Sequence, residues 1–248
     1  MADIADNLVD NLARIRDRMG EAARRSGRDP GEITLVAVTK TFPADVILRA
    51  YESGVRHFGE NRAREGISKI MAIEPYISEQ PPTWHMIGHI QSRKARRVVE
   101  HYDYVHSVDR LKIARRLSDH AAEAGQVLPV LLECNVSGEG SKYGFALENW
   151  EGDDARRKAF FTAVDEILSL PGLDVRGLMT MPPYVDDPED VRPLFVSLRM
   201  LRNALRERFI GADWRHLSMG MTNDFEVAIE EGATMVRIGR GIFGSRGG

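Results

Sequence analysis

The chain has 248 residues, 43% of them hydrophobic and 29% charged, with a formal net charge of -3. This is the composition of a globular protein with an apolar core, which excludes a disordered chain. A pI near 6.2 leaves no basic field able to neutralise many phosphates, so nucleic acid is not expected as a partner.

The acidic N-terminus has no hydrophobic signal region, and no apolar run approaches a membrane span; a cytoplasmic protein without membrane contact is expected. Cys134, the single cysteine, reads as a small buried hydrophobe. No linker rich in Ser, Gly or Pro divides the sequence, so a single domain over 1–248 is expected, with 1–27 forming a helix ahead of it.

In that first helix Ile4, Leu8, Leu12, Ile15, Met19 and Ala22 recur at helical spacing, and the run stops before Ser26 and Gly27 after a basic turn at Arg24 and Arg25. It stands outside the repeat that follows, as a cap or a dimer contact. From there short apolar strands alternate with amphipathic helices. Strands are predicted at 33–39, 55–59, 83–88, 104–107, 130–136, 174–179, 215–218 and 235–239, and the clearest helices at 44–53, 110–124, 154–170, 188–209 and 224–232. Strict alternation implies a parallel α/β sheet, either open or closed. Eight units within this length favour the closed form, a (β/α)8 TIM barrel with an extra N-terminal helix. An open sheet would carry a glycine-rich first turn, whereas the turn from Lys40 to Pro43 has no glycine.

In such a barrel the residues that follow each strand share one rim, where ligands bind. Taken in strand order they are Lys40, Glu60 with Asn61, His89 with Gln91, Ser107 with Asp109, Asn135 with Ser137, the 179–183 run, the 218–222 run and 239–241. Lys40 ends a rigid strand and is a candidate for chemistry, or else a lysine reaching water. Ser218, Gly220 and Thr222 lead into a capping set of Asn223, Asp224 and Glu226, with the amides of Gly239 and Arg240 opposite. Their place between strands seven and eight fits a phosphate cradle, or a capped loop ahead of a helix. Residues 239–244 match G-x-G-x-x-G, but only four residues follow, so a dinucleotide fold is rejected. Arg237 shares a strand face with Met235 and Gly239, and a buried charge there wants a carboxylate or an electron-rich ligand atom. His85 and His89 have the spacing of helical metal ligands but fall on strand and loop, so no metal is expected. The glycine-rich stretch 138–144 reads as a mobile loop over the rim.

A rim lysine, a phosphate cradle and an inward arginine suit a phosphorylated carbonyl compound held as a Schiff base. Pyridoxal 5'-phosphate (PLP) and the sugar phosphate of an aldolase both fit. An arginine facing a pyridine nitrogen would keep that nitrogen unprotonated and the cofactor a weak electron sink.

The runs VAVTKT at 36–41, FGENR at 58–62, WHMIGHIQS at 84–92, NVSG at 135–138, SKYGF at 141–145, RGLM at 176–179, LSMGMTNDF at 217–225, VRIG at 236–239 and IFG at 242–244 resemble the PLP homeostasis protein family (YggS/PROSC type). The match is collinear over nearly the whole chain. The resemblance implies the barrel of the alanine racemase N-terminal domain, PLP held as a lysine aldimine without established turnover, and a role in vitamin B6 and amino-acid homeostasis. It makes Lys40 the aldimine lysine, puts Asn61 and His85 near the ring, has Ser218, Gly220, Thr222 and the Gly239 and Arg240 amides hold the phosphate, and faces Arg237 to the pyridine nitrogen. Recipient apo-enzymes are the implied partners, with the protein a monomer or weak homodimer. The sequence departs from the family at Arg240-Gly241, where Thr-Ala is usual, at Thr222 in place of Ser, and at Arg93 in place of Asn. The rival expectation is an amino-acid racemase, which needs a second acid/base on the opposite ring face; the chain closes soon after its last strand, leaving no room for the further β domain that helps supply it. Tyr143 and Tyr184 are the available substitutes, and read better as lid or packing residues.

Overall fold

The computed structural model describes residues 7–77, 80–140 and 142–244; Ile4 and Ser141, used above, lie outside them. Helix α1 (Leu8–Arg25) precedes β1 (Thr34–Val38), α2 (Ala44–Glu52), β2 (His57–Glu60), α3 (Ala63–Ile73), β3 (Thr83–Met86) and α4 (Ala95–His101). There follow β4 (Tyr104–Val108), α5 (Leu111–Glu123), β5 (Leu128–Asn135), the two-residue β6 (Phe145–Ala146), α6 (Asp154–Leu168) and β7 (Leu173–Met179). The chain then runs through α7 (Arg192–Arg208), β8 (His216–Ser218), α8 (Phe225–Glu230), β9 (Met235–Ile238) and α9 (Arg240–Phe243).

The strands pair in parallel in the ring order β4-β3-β2-β1-β9-β8-β7-β5, and β4 pairs with β5 to close it. This is the predicted TIM barrel, and each predicted strand end falls within two residues of the observed one. Strand β6 adds to β5 outside the ring, where the sequence pattern showed only a loop. Side chains alternate along each strand, so every strand serves two cores. Outward residues such as Ala37, Phe58, Trp84, Val105, Leu132, Leu178 and Val236 join the large cluster beneath the helices. Tyr104, Leu131, Met179 and Met235 form a separate cluster inside the ring.

The first helix ends as its sequence requires. Gly27 has φ +69°, and the amides of Arg28 and Gly27 return to the carbonyls of Ala23 and Arg24, a glycine C-cap. Helix α1 caps the barrel, as one of the two expected roles has it. Leu8, Leu12, Ile15 and Met19 are buried, and the helix packs on α8 and α9. Burying each such side chain is worth about 1.5–3 kcal/mol. Polar ties fix the docking: Asn11 Nδ2 donates to Ile242 O at 3.0 Å, Arg18 pairs with Glu226 at 2.6 Å, and Arg28 Nη1 donates to the carbonyls of Ile229 and Ala233. The segment before the barrel therefore braces its last strand–loop–helix unit.

Gly177 opposes His216 in the β7–β8 pairing and has φ +147°; a Cβ there would stand 1.9 Å from His216 O. Strain and overlap together predict that Gly177→Ala destabilises the chain by roughly 2–4 kcal/mol, read as a lower urea midpoint at unchanged slope. A midpoint equal to that of the parent would show that β7 and β8 tolerate separation.

Candidate functional site

A cavity opens at the C-terminal end of the barrel. Its wall is built from Val38, Lys40 and Phe42 after β1, Asn61 after β2, Ile87 after β3, Met181 and Pro183 to Val185 after β7, Met221 to Asp224 after β8, and Arg237, Gly239 and Arg240 at β9. Because β1 lies between β2 and β9 in the ring, Lys40 stands between Asn61 on one side and Gly239 on the other. Among the described residues, the loops after β4 and β5 contribute nothing to this wall, so the cavity sits off the barrel axis.

The turn bearing Lys40 is clamped from behind. Lys69 on α3 donates to Thr39 O at 2.8 Å, Glu60 Oε1 at 2.8 Å and Glu65 Oε1 at 2.7 Å. Thr39 Oγ1 donates to Glu60 Oε1 at 2.6 Å, and the amide of Thr41 donates to Glu65 Oε1 at 2.6 Å. Thr41 has φ +70°, a left-handed conformation costing a β-branched residue about 1–3 kcal/mol. The Glu65 hydrogen bond holds that strained peptide in place and thereby aims its neighbour. Burial raises the pKa of Glu60, against the opposing bonds from Lys69 and Thr39. Desolvation also works on Glu65, but the bonds from Lys69 and the Thr41 amide outweigh it and keep that carboxyl low.

Across the cavity two loops are cross-linked: the amide of Gly241 donates to Thr222 Oγ1 at 3.3 Å. The capping set expected at 223–226 does not form. Asp224 Oδ1 folds back to accept from the Met221 amide at 2.6 Å, and Glu226 is drawn to Arg18. The result is a tight turn on the cavity wall. Beneath it Arg237 is 4% exposed and donates to Ser218 Oγ at 2.7 Å and Thr180 O at 2.9 Å. Burial lowers its pKa to about 10, though Asp224 and Glu133 favour its charge.

Of the residues singled out from sequence, Lys40, Asn61, Thr222, Arg237, Gly239 and Arg240 share the cavity wall. His85, Ser218 and Gly220 stand behind it. His85 lies inside the ring between His57 and His106, Ser218 is covered by Arg237, and Gly220 backs onto Phe225 and Ala228 while its carbonyl accepts the Arg237 amide. Sequence reasoning passed over the Lys69 clamp, although Glu65 and Lys69 at i, i+4 were a legible helical pair. Met181 and Met221, which the sequence placed on the rim within the 179–183 and 218–222 runs, are wall residues.

Two rim features lie beside the cavity. His89 Nδ1 meets Asp109 Oδ2 at 2.7 Å, and the Tyr143 ring stacks on His89 with centroids 3.8 Å apart. Tyr143 thus lies against the rim, and Asn135 Nδ2 donates to Glu139 O. Among the described residues no three His, Cys, Asp or Glu side chains converge as a metal site.

Over residues 6–247 the sequence matches the family described as alanine racemase, N-terminal domain. A pyridoxal phosphate homeostasis protein of Vibrio alginolyticus is 40% identical over 240 residues, 97% of this chain and 98% of that one. The protein of that name from Escherichia coli (strain K12) is 42% identical over 245 residues, 97% of each chain. The chain belongs to the pyridoxal phosphate homeostasis protein family. Among solved structures, PipY of Synechococcus elongatus PCC7942 with PLP bound has a TM-score of 0.79 at 32% identity, covering 96% of this chain and 100% of its own. An alanine racemase of Clostridium difficile 630 has a TM-score of 0.69 at 15% identity, over 98% of this chain and 60% of that one, and shares the fold.

The family barrel also buries an acid. Glu133 is 7% exposed, and desolvation, then the nearby Asp109, push its pKa up from 4.5 to about 7. Raised above its unfolded value, this carboxyl favours folding fully below pH about 4.5 and loses that contribution as pH rises through 7. Glu133→Gln should therefore gain stability relative to the parent between pH 5 and 8, by on the order of 2–3 kcal/mol in urea unfolding. A difference that does not change with pH would contradict this.

Proposed function

We propose that the protein binds PLP in this cavity, with Lys40 condensing with its aldehyde as a Schiff base, and that it stores or delivers the cofactor and does not turn over a substrate. The observation that carries the reading is one shared wall: Lys40, the turn at 221–224, the Gly239 and Arg240 backbone and a buried guanidinium outside any ion pair among the described residues. These groups fit PLP. Thr222 and the amides of Gly239 and Arg240 suit its phosphate, with exposed Arg240 adding charge at the mouth. Arg237, always a donor, suits the pyridine nitrogen. When bound, PLP supplies an electrophilic aldehyde and an electron-withdrawing ring; a guanidinium at the ring nitrogen leaves it unprotonated and weakens the second property.

The names of the relatives support homeostasis over catalysis. Tyr143 is engaged with His89, and Tyr184 stands at the mouth 71% exposed. Racemisation requires a base fixed against the far face of the ring, which a solvent-exposed tyrosine does not provide. PLP-dependent apo-enzymes are the natural recipients of a stored cofactor, and we read the chain as one PLP-binding unit. Among the described residues no helix is long and apolar enough to cross a membrane.

Borohydride reduction of the PLP-loaded protein, followed by peptide mass analysis, is expected to find a pyridoxyl group on Lys40. Lys40→Ala should lose the covalent adduct and keep loose binding through the phosphate loops; a pyridoxyl group on another lysine of the parent would refute the assignment. Alanine stereoinversion at ordinary enzyme rates, abolished by Lys40→Ala, would instead make the protein a racemase. Thr222→Val should weaken PLP binding roughly tenfold by removing one hydrogen bond to a charged group, measurable by absorbance titration.

A further inference from the structure

Arg237 poses an electrostatic problem that its direct contacts do not solve. Its acceptors among the described residues, Ser218 Oγ and Thr180 O, are both neutral, and Asp224 and Glu133 act on it only through space. A guanidinium buried this deeply needs negative potential from somewhere. Behind Ser218 runs a file of three imidazoles. Ser218 Oγ lies 2.9 Å from His106 Nδ1, His106 Nε2 lies 2.8 Å from His85 Nδ1, and His85 Nε2 lies 3.0 Å from His57 Nδ1. The file starts at the head of β2, where His57 is half-buried, and crosses the barrel interior to β8. His85 and His106 are buried, and Tyr104 stacks on His85.

Each link in such a file needs one donor and one acceptor. Burial lowers the pKa of His85 and His106 well below the ordinary histidine value and that of His57 less strongly, so each ring carries one proton at neutral pH. Only two uniform arrangements then satisfy every link: all protons on Nε2, or all on Nδ1. Arginine decides between them. Its Nη1 can only donate, so Ser218 Oγ accepts from it, and the serine hydrogen is repelled toward His106 Nδ1. That places the proton of His106 on Nε2, then those of His85 and His57 likewise. Every unprotonated nitrogen, the negative end of its ring dipole, then faces the guanidinium.

We propose that His57, His85, His106 and Ser218 form a polarised hydrogen-bond string, each imidazole protonated on Nε2, that stands in for a carboxylate and holds Arg237 as a charged, oriented donor at the cavity floor. The apolar surroundings of Leu131, Met179 and Met235 strengthen the string, since dipoles act over longer range where water is excluded. The proposal rests on the PLP reading only for its consequence: a guanidinium kept charged and aimed at the ring nitrogen. The four residues act through Arg237 and are positioning residues.

The test is nitrogen-15 NMR of histidine-labelled full-length protein at pH 7, without added cofactor. Signals are assigned by single His→Gln variants at positions 57, 85 and 106. All three rings are expected as Nε2–H with an accepting Nδ1; an Nδ1–H ring or an imidazolium among them overturns the proposal. In Arg237→Met the polarising charge is gone, so Nδ1–H should appear in the string; three unchanged Nε2–H rings would mean that arginine does not set the direction. In PLP-loaded protein, His57→Gln, the change farthest along the string from Arg237, should keep the Lys40 adduct while moving the pH midpoint of its absorbance by several tenths of a unit. An unmoved midpoint counts against the string. Failure of the parent to take up PLP would defeat the functional reading and leave the tautomer result standing.

Discussion

Closure of the ring between β1 and β9 is the constraint from which the site follows. Four successive pairs, Thr34 with Met235 through Ala37 with Ile238, join strands some two hundred residues apart in sequence. Parallel pairing makes both strands end at the same height, so the turn bearing Lys40 and the backbone at Gly239 and Arg240 emerge side by side. The packing of α1 against α8 and α9 strengthens this seam from outside. A cavity with an amine on one wall and an anion-suited backbone on the other is a consequence of that register.

Two buried cations flank the cavity, and the fold treats them differently. Lys69 is met by two carboxylates and a carbonyl, an arrangement that neutralises it and locks the strained turn at Thr41. Among the described residues Arg237 hydrogen-bonds only to neutral oxygens. The first cation is structural, since its bonding capacity is filled by protein groups. The second lines the cavity with donor capacity to spare, which is why the proposed function gives it the part of addressing a ligand.

Barrel and chemistry are separable here. The racemase of Clostridium difficile shares this fold at 15% identity, which says nothing of what this chain does, because function in such barrels lives in the loops after the strands. Relatives at 40–42% identity over nearly the whole length are a different matter, and place the chain in a family by sequence. The wall residues supply the rest of the argument.

The sequence by itself determined the strands, their alternation with helices and hence the barrel, because periodicity two and periodicity 3.6 are local properties of a chain. It also placed Lys40, Asn61, Thr222, Gly239 and Arg240 on one rim, because each lies in the turn or loop after a strand, and it put Arg237 on one face of the last strand by the alternation of side chains. Only the tertiary structure decided which polar residues reach the cavity and which stand behind it. His57, His85, His106 and Ser218 come from four strands, and their contacts depend on barrel tilt and on closure across the interior, neither of which leaves a local trace. Asp224 and Glu226 have the composition of a helix cap, yet Met221 and Arg18 draw them away. Local pattern fixes what a segment can form, whereas the partners of a polar side chain are chosen by whatever the fold brings within three ångströms of it.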